Sequence, residues 1–571
     1  MAARSLTARA HLRTGPAPAD KDPALPVKAV PRAPGHTGAM NASQRTKYVV
    51  VGAGTAGSIL TRRLLDAGHE VVLLEAGGED ANPAIHLVSR LGELWHAPED
   101  WDYATVPQAH AGGRVIHWPR GRVLGGSHAL NATIWVRGAA QDYDAWAADG
   151  CPGWGWSDVL PWFTALETYV PPAGTEPHPS RGTDGPVPVV QDYPLNPLFA
   201  SIVEAAEELG VERNEDYNAG VLDGISQQQI NVREGRRFTT WMACVRPVLD
   251  HPRLSLRTGV LVQRVLVEDG RATGVAVIPL ADPDAEPEVI PADEVVLCAG
   301  AIDSPKILLR SGIGPAEHLA EVGVPLVHDL PGVGENLHDH LLAPVIAEAT
   351  ARTIEHPETD WSVTQTHLFW RSRPDLEVPD TQPIHFSVPM YDEGMTGPAN
   401  AFTLHAGLVR PHSRGTVRLT GPGVTDPVAL DPRILADSRD REALLASFRQ
   451  ARAMVRTAPL AEDWGAVELY PGEDVRTEEE ETAYLHRWVT TYHHQVGTCR
   501  MGTGPEAVVS PGDLRVHGLA GLRVVDASVM PRVPSGNTNA PTAMIAERAA
   551  SLITGAQTVP AAEAAEQLAE A

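Results

Sequence analysis

Two polar segments near the C-terminal end carry the side chains best suited to acid–base chemistry. One is Tyr492-His493-His494-Gln495-Val496-Gly497-Thr498-Cys499-Arg500-Met501-Gly502; the other is Pro534-Ser535-Gly536-Asn537-Thr538-Asn539-Ala540-Pro541-Thr542. An imidazole can take a proton near neutral pH. A carboxamide can hydrogen-bond an oxygen without competing for that proton. Taken alone, each segment also reads as a plain polar loop. The remainder of the chain must show what a base and an amide would act on.

The N-terminal region supplies a partner. Lys47-Tyr48-Val49-Val50-Val51 is a β-branched apolar run that predicts a buried strand. Gly52-Ala53-Gly54-Thr55-Ala56-Gly57 follows, then the helical spacing of 58–65, then a second strand, Glu70-Val71-Val72-Leu73-Leu74, ending at Glu75. This strand, glycine turn, helix, strand, acid series is a dinucleotide-binding signature. Gly52 permits the tight turn, Gly54 lets backbone approach a pyrophosphate, and Gly57 allows helix and strand to pack closely. The helix start, with Thr55 and Ala56, offers N–H groups to phosphate. Glu75 would accept hydrogen bonds from ribose hydroxyls. The series fits NAD and FAD equally and disfavours NADP.

The bulk properties narrow the class. A chain of 571 residues predicts more than one domain and a large core. A formal net charge of −26 disfavours nucleic acid and anionic membranes as partners. The four cysteines form no CxxC pair, and Cys298 lies in an apolar run, so a reducing, cytoplasmic setting is expected. No apolar run reaches membrane-spanning length, and no signal-peptide core is visible. The first 40 residues carry six prolines and little periodicity, which predicts disorder; Met40 is a second candidate start. The Ala/Glu-rich end reads as a frayed tail.

Further segments carry a resemblance. Pro119-Arg120-Gly121-Arg122-Val123-Leu124-Gly125-Gly126-Ser127 runs into Asn131-Ala132-Thr133-Ile134-Trp135-Val136-Arg137-Gly138. Gly300-Ala301-Ile302-Asp303-Ser304-Pro305 and Pro331-Gly332-Val333-Gly334-Glu335-Asn336-Leu337-His338-Asp339-His340 come later. With the C-terminal pair, these resemble the glucose–methanol–choline (GMC) oxidoreductases, from about Lys47 to Thr554. The flavour is that of the bacterial choline-dehydrogenase-like and alcohol-oxidase-like members.

The resemblance implies one bound FAD. It assigns Gly52, Gly54, Thr55, Ala56, Gly57 and Glu75 to the ADP half and Val262 to the adenine. Arg120, Val123, Gly126, Ser127, Asn131 and Ala132 would run along the pyrophosphate, ribityl and isoalloxazine edge. Ala299 and Gly300 belong to the same site. Asp526 and Ala527 would return to the phosphate and ribityl region, and Thr538 and Asn539 would approach the pyrimidine end. His494 aligns with the active-site histidine, and Asn537 with a second catalytic position that is His or Asn. The implied reaction is oxidation of an alcohol, primary by expectation, to an aldehyde. His494 takes the proton, Asn537 orients the oxygen, and O2 or a quinone-like carrier reoxidises the flavin.

Two departures matter. His128 stands where a small residue is usual. Leu130 precedes Asn131 where some members carry a flavin-linking histidine, so FAD is expected to be held without a covalent bond. His493 is read as a packing residue. His338 and His340 flank Asp339 in a way that could suggest a metal, but the resemblance implies a structural turn, so no metal is expected. The runner-up function is a hydroxynitrile-lyase-type member whose FAD does no net redox work. A non-catalytic Rossmann binding module is the third reading.

The expected fold is an α/β FAD-binding Rossmann-like domain interleaved with an α+β substrate domain on a mostly antiparallel sheet. Residues 46–150, 225–335 and 495–556 are assigned to the FAD part. Residues 151–224 and 336–494 are assigned to the substrate part, leaving 1–45 as an extension and 557–571 as a tail. Ala401–Val409 and Gly415–Leu419 read as two strands around a turn, and 437–457 as a helix.

Overall fold

The structure, a computed structural model, describes residues 45–355 and 361–555; the expected extension before position 45 and the tail lie outside them. The predicted strand–turn–helix–strand series is present as β1 (Lys47–Val51), α1 (Thr55–Asp66) and β2 (Glu70–Leu74). Strands β1 and β2 sit at the heart of a five-stranded sheet. Its order is Leu254–Arg257, β2, β1, Glu294–Leu297, Leu522–Val524, and every pairing is parallel. Val49, Val50 and Leu73 are fully buried, as expected for strands covered on both faces.

The chain's two ends meet on this sheet. Helix Asn539–Thr554 packs along α1, and Arg63 of α1 donates to the buried Glu547 carboxylate at 2.8 Å. A three-stranded antiparallel sheet, Val260–Glu268, Arg271–Pro279 and Glu288–Pro291, adjoins the parallel one.

A separate sheet is wholly antiparallel. Its order is Ala466–Tyr470, Leu341–Ala349, Ala401–Leu408, Ile384–Phe386, Thr366–Phe369, Gly224–Gln227, with Thr490–Thr491 paired to the start of Leu341–Ala349. Helix Ser438–Val455, predicted from its spacing, packs on it. Strand Gly224–Gln227 crosses the seam expected at position 225, because its partners are Thr366–Phe369.

The two strands expected around a turn are present as Ala401–Leu408 and Thr416–Leu419, and they do not pair with each other. The first joins the large sheet, while the second pairs with Val428–Asp431 in a two-stranded ribbon. His412 and Ser413 instead donate their backbone N–H groups to the buried Asp440 carboxylate, which leads the chain away from the first strand. All four cysteines are buried and unpaired. Among the described residues, no helix is long and apolar enough to cross a membrane.

Candidate active site

A cavity of about 1220 Å³ runs between the parallel and antiparallel sheets. Three helices begin at its wall: α1 at Thr55, Gly300–Arg310 after Ala299, and Asn539–Thr554 after Thr538. The first turn of each has N–H groups without an intrahelical partner and the positive end of a helix dipole, which suits an anionic ligand; at the second helix Asp526 takes the Gly300 N–H. The glycine turn lies among them. Gly52 has φ +101, and a Cβ there would be 2.5 Å from the Cys298 carbonyl oxygen. A Cβ on Gly126 would be 2.7 Å from the Gly54 Cα, so two backbones touch at this wall.

Nineteen of the residues singled out in the sequence line the cavity. They are His494, Asn537, Gly52, Gly54, Thr55, Ala56, Glu75, Arg120, Gly126, Ser127, Asn131, Ala132, Val262, Ala299, Gly300, Asp526, Ala527, Thr538 and Asn539. Two do not. Val123 is buried in a cluster with Ile85, Leu94 and Leu130. Gly57 serves packing, since a Cβ there would be 1.9 Å from the Gly52 carbonyl oxygen.

Two others reach the cavity but have their polar groups engaged elsewhere. Asp526 accepts from the Gly300 N–H (2.9 Å), the Ser304 hydroxyl (2.5 Å) and Ser528 N–H (2.8 Å), so it aims the start of a helix. Its charge would repel phosphate. Arg120 donates to the His493 carbonyl at 2.7 Å and so ties the Gly-rich segment to the histidine loop.

The polar centre is built around His494. Its Nε2 lies 3.2 Å from Asn537 Nδ2, and its Nδ1 lies 3.0 Å from His340 Nδ1. Tyr492 stacks on its ring at 4.8 Å. Burial holds the His494 pKa well below the ordinary imidazole value, so the ring is neutral and one of its nitrogens keeps a lone pair. Asp339 fixes the loop, accepting from the His494 N–H (2.7 Å), Gln495 Nε2 (2.9 Å) and the Thr491 hydroxyl. Burial pushes the Asp339 carboxyl up to about 6. His493 sits at φ +66 with its ring edge-on to Trp95, as a packing residue would.

The His338–Asp339–His340 cluster therefore does more than turn the chain. His338 is structural, receiving the Val533 N–H at 2.9 Å and contacting the Asn336 carbonyl at 2.6 Å. Asp339 and His340 face the His494 loop, a contact hidden in sequence because about 155 residues separate the partners. Gln382, whose Nε2 is 3.1 Å from Asn537 Oδ1, carries no motif at all and left no signal. His128 is buried, held by the Thr240 N–H (3.3 Å) and the Asn539 amide (3.3 Å). Asn539 also bonds Thr55 (2.7 Å), so it joins two helix starts. His96 and His117, which line the cavity, each bring a ring nitrogen to hydrogen-bond distance of Asp102, at 2.7 and 3.0 Å, so three possible metal ligands meet there.

The second loop is equally fixed. The Ser535 N–H donates to Asp142 at 2.7 Å, and Gly536 has φ +131 with its would-be Cβ 2.5 Å from Val136 Cγ1. Gly536→Ala should therefore displace Asn537. We expect a loss of roughly 1–3 kcal/mol in thermal unfolding and slower flavin reduction. A variant as stable and as fast as wild type would rule out this reading of the loop.

Comparison with known proteins decides the family. The two GMC oxidoreductase models match residues 46–342 and 411–546. The chain belongs to the GMC oxidoreductase family. It is 36% identical over 532 residues to an alcohol dehydrogenase [acceptor] of Pseudomonas putida, covering 89% of this chain and 95% of the relative. It is 34% identical over 536 residues to an oxygen-dependent choline dehydrogenase of Photobacterium profundum, covering 89% and 93%. The crystal structure of pyridoxine 4-oxidase from Mesorbium loti superposes with a TM-score of 0.83 at 34% identity, covering 89% and 98%.

The GMC cofactor is FAD, and the cavity fits it. Gly300 has φ +86, and a Cβ there would meet nothing within 4 Å, so its backbone faces open space at a helix start. Glu75 is buried at the wall, and its two oxygens accept from the Ala53 and Gly77 N–H groups, each at 2.9 Å. Burial pushes its pKa up to about 7. Such an acceptor calls for further donors, which the ribose hydroxyls of an ADP moiety supply.

Proposed function

We propose that this GMC oxidoreductase oxidises a primary alcohol with an apolar body to the aldehyde, with His494 as base and Asn537 as the orienting amide. The observation that carries this is the 3.2 Å approach of Asn537 Nδ2 to the His494 Nε2 at the wall of the FAD cavity. A substrate hydroxyl that displaces the Asn537 N–H from His494 Nε2 meets the lone pair of the neutral imidazole. The amide has a second hydrogen, which can bond the substrate oxygen and hold its carbon in place. Bound FAD supplies the hydride acceptor, so the alcohol loses a hydride to it and its hydroxyl proton to His494 Nε2. The helix start at Thr538 and Asn539 places a positive dipole end at the same wall, where it can stabilise negative charge. Glu75 would hold the ribose, and the starts of α1 and Gly300–Arg310 the pyrophosphate.

The apolar body follows from the walls. Tyr492, stacked on His494, packs in one cluster with Ile134, Leu342, Ile384 and Phe386, and all five line the cavity. The relatives' names, dehydrogenase and oxidase, favour redox use of the flavin over the lyase reading. The division into an FAD part and a substrate part is retained, with strand Gly224–Gln227 moved to the latter. A cytoplasmic setting belongs to the same reading, supported by four unpaired buried thiols.

The test is anaerobic flavin bleaching by a panel of alcohols. Benzylic and long aliphatic primary alcohols should reduce the flavin faster than choline or sugar alcohols. No bleaching by any alcohol would overturn the function. Peroxide formed in air would identify O2 as the acceptor, and turnover with a dye alone would identify a carrier. Acid precipitation of the same protein should leave the flavin in solution, because Leu130 offers no nucleophile; flavin in the pellet would mean a covalent link.

A further inference from the structure

We infer that Gln382 is a positioning residue: it sets which end of the Asn537 amide meets His494, and thereby which His494 nitrogen is left to take the substrate proton. This deepens the function proposed above and rests on it.

Gln382 is fully buried and its backbone is pinned on both sides. Its N–H donates to the Gly407 carbonyl at 3.1 Å, and its carbonyl accepts the Tyr492 hydroxyl at 3.2 Å. Its side-chain Nε2 lies 3.1 Å from Asn537 Oδ1 and 3.2 Å from His367 Nδ1. An amide nitrogen has two hydrogens and can only donate. Asn537 must therefore turn its oxygen toward Gln382, which leaves Nδ2 facing His494 Nε2 at 3.2 Å. That nitrogen also only donates, so His494 Nε2 must be the lone-pair nitrogen. A neutral imidazole carries one proton, which then resides on Nδ1 and bonds the His340 Nδ1 lone pair at 3.0 Å.

With Gln382 presenting Nε2 to Asn537, each link forces the next. If Gln382 presented its oxygen instead, Asn537 would turn its Oδ1 to His494. Nε2 would then carry the proton, and the ring would face the cavity as a donor with no place for a substrate proton. The bland alternative is that Gln382 only fills space and satisfies His367. In that case its loss would be felt whether or not Asn537 is present.

A double-mutant cycle separates these. Anaerobic reduction by the fastest alcohol of the panel is followed per bound flavin in wild type, Gln382→Ala, Asn537→Ala and the double variant. Gln382→Ala alone should lower the limiting reduction rate roughly tenfold, while half-saturation by substrate changes less than about twofold. In the Asn537→Ala background the same change should cost less than about twofold, because the amide it orients is gone. Gln382→Met, which keeps the volume without the N–H donor, should behave the same way and guards against a misfolded alanine variant. A wild-type rate in both Gln382 variants, or equal losses in both backgrounds, overturns the inference. A wild-type protein that no alcohol reduces would instead remove the functional reading beneath it.

Discussion

His494→Ala is expected to slow anaerobic flavin reduction by roughly two to four orders of magnitude while the flavin stays bound, the usual range for loss of a general base. Among the described residues, the neutral ring is the only imidazole placed by both Asn537 and Asp339, through contacts of 3.2 and 2.7 Å. The loop that carries it is held by its backbone and its neighbours: Asp339 on the His494 N–H, and Arg120 on the His493 carbonyl. Removing the ring should therefore leave the loop and the FAD cavity in place. The loss should appear in the limiting rate rather than in substrate affinity, since a proton acceptor acts on the transition state. Stopped-flow reduction per bound flavin checks this, and unchanged kinetics would refute His494 as the base.

Acid should destabilise the protein well before ordinary carboxylates titrate. Seven buried histidines are held neutral by burial. His128, His340, His367 and His385 are pushed down to about 3, His405 to about 4, and His338 and His494 well below the usual value. Unfolding returns each to about 6.5. The unfolded chain then binds more protons, so stability is complete above about pH 6.5 and falls as pH drops through the window toward 3. Each ring contributes up to about 1.4 kcal/mol per pH unit in that window.

Four carboxyls act in the opposite sense. Burial raises Glu75 to about 7 and Asp339 to about 6, and it also raises Asp392 and Asp526. These bind protons first in the folded state, and so offset part of the loss. Burial also pushes His493 down to about 3, so eight lowered histidines stand against four raised carboxyls, and the histidines win. The thermal unfolding midpoint should fall between about pH 7 and about pH 5. A midpoint that rose over that interval would mean the carboxyls dominate.

The legible part of this molecule was the part whose chemistry is local. The glycine turn declared itself because strand, turn, helix and strand follow one another without a break, and Gly57 is demanded by a contact inside that unit, its would-be Cβ 1.9 Å from the Gly52 carbonyl oxygen. Its strands read as buried because both faces of a parallel sheet are covered, which leaves β-branched runs such as Val49-Val50-Val51. Val123 misled for the complementary reason: it sits in a motif that borders the cofactor, but its side chain turns inward to Ile85 and Leu94. The strands at 401–408 and 416–419 were legible, but a turn between two strands does not say whether they pair, and these two do not.

By itself, then, the sequence determined a nucleotide-binding unit, the two C-terminal loops and their likeness to GMC oxidoreductases, with His494 and Asn537 as the proposed base and amide. The tertiary structure alone decided how those two side chains are aimed. Gln382 meets Asn537 across 155 residues, and His340 meets His494 across 154. A hydrogen bond between strands and loops so far apart leaves no spacing to read, because its partners are brought together by the packing of one sheet against another.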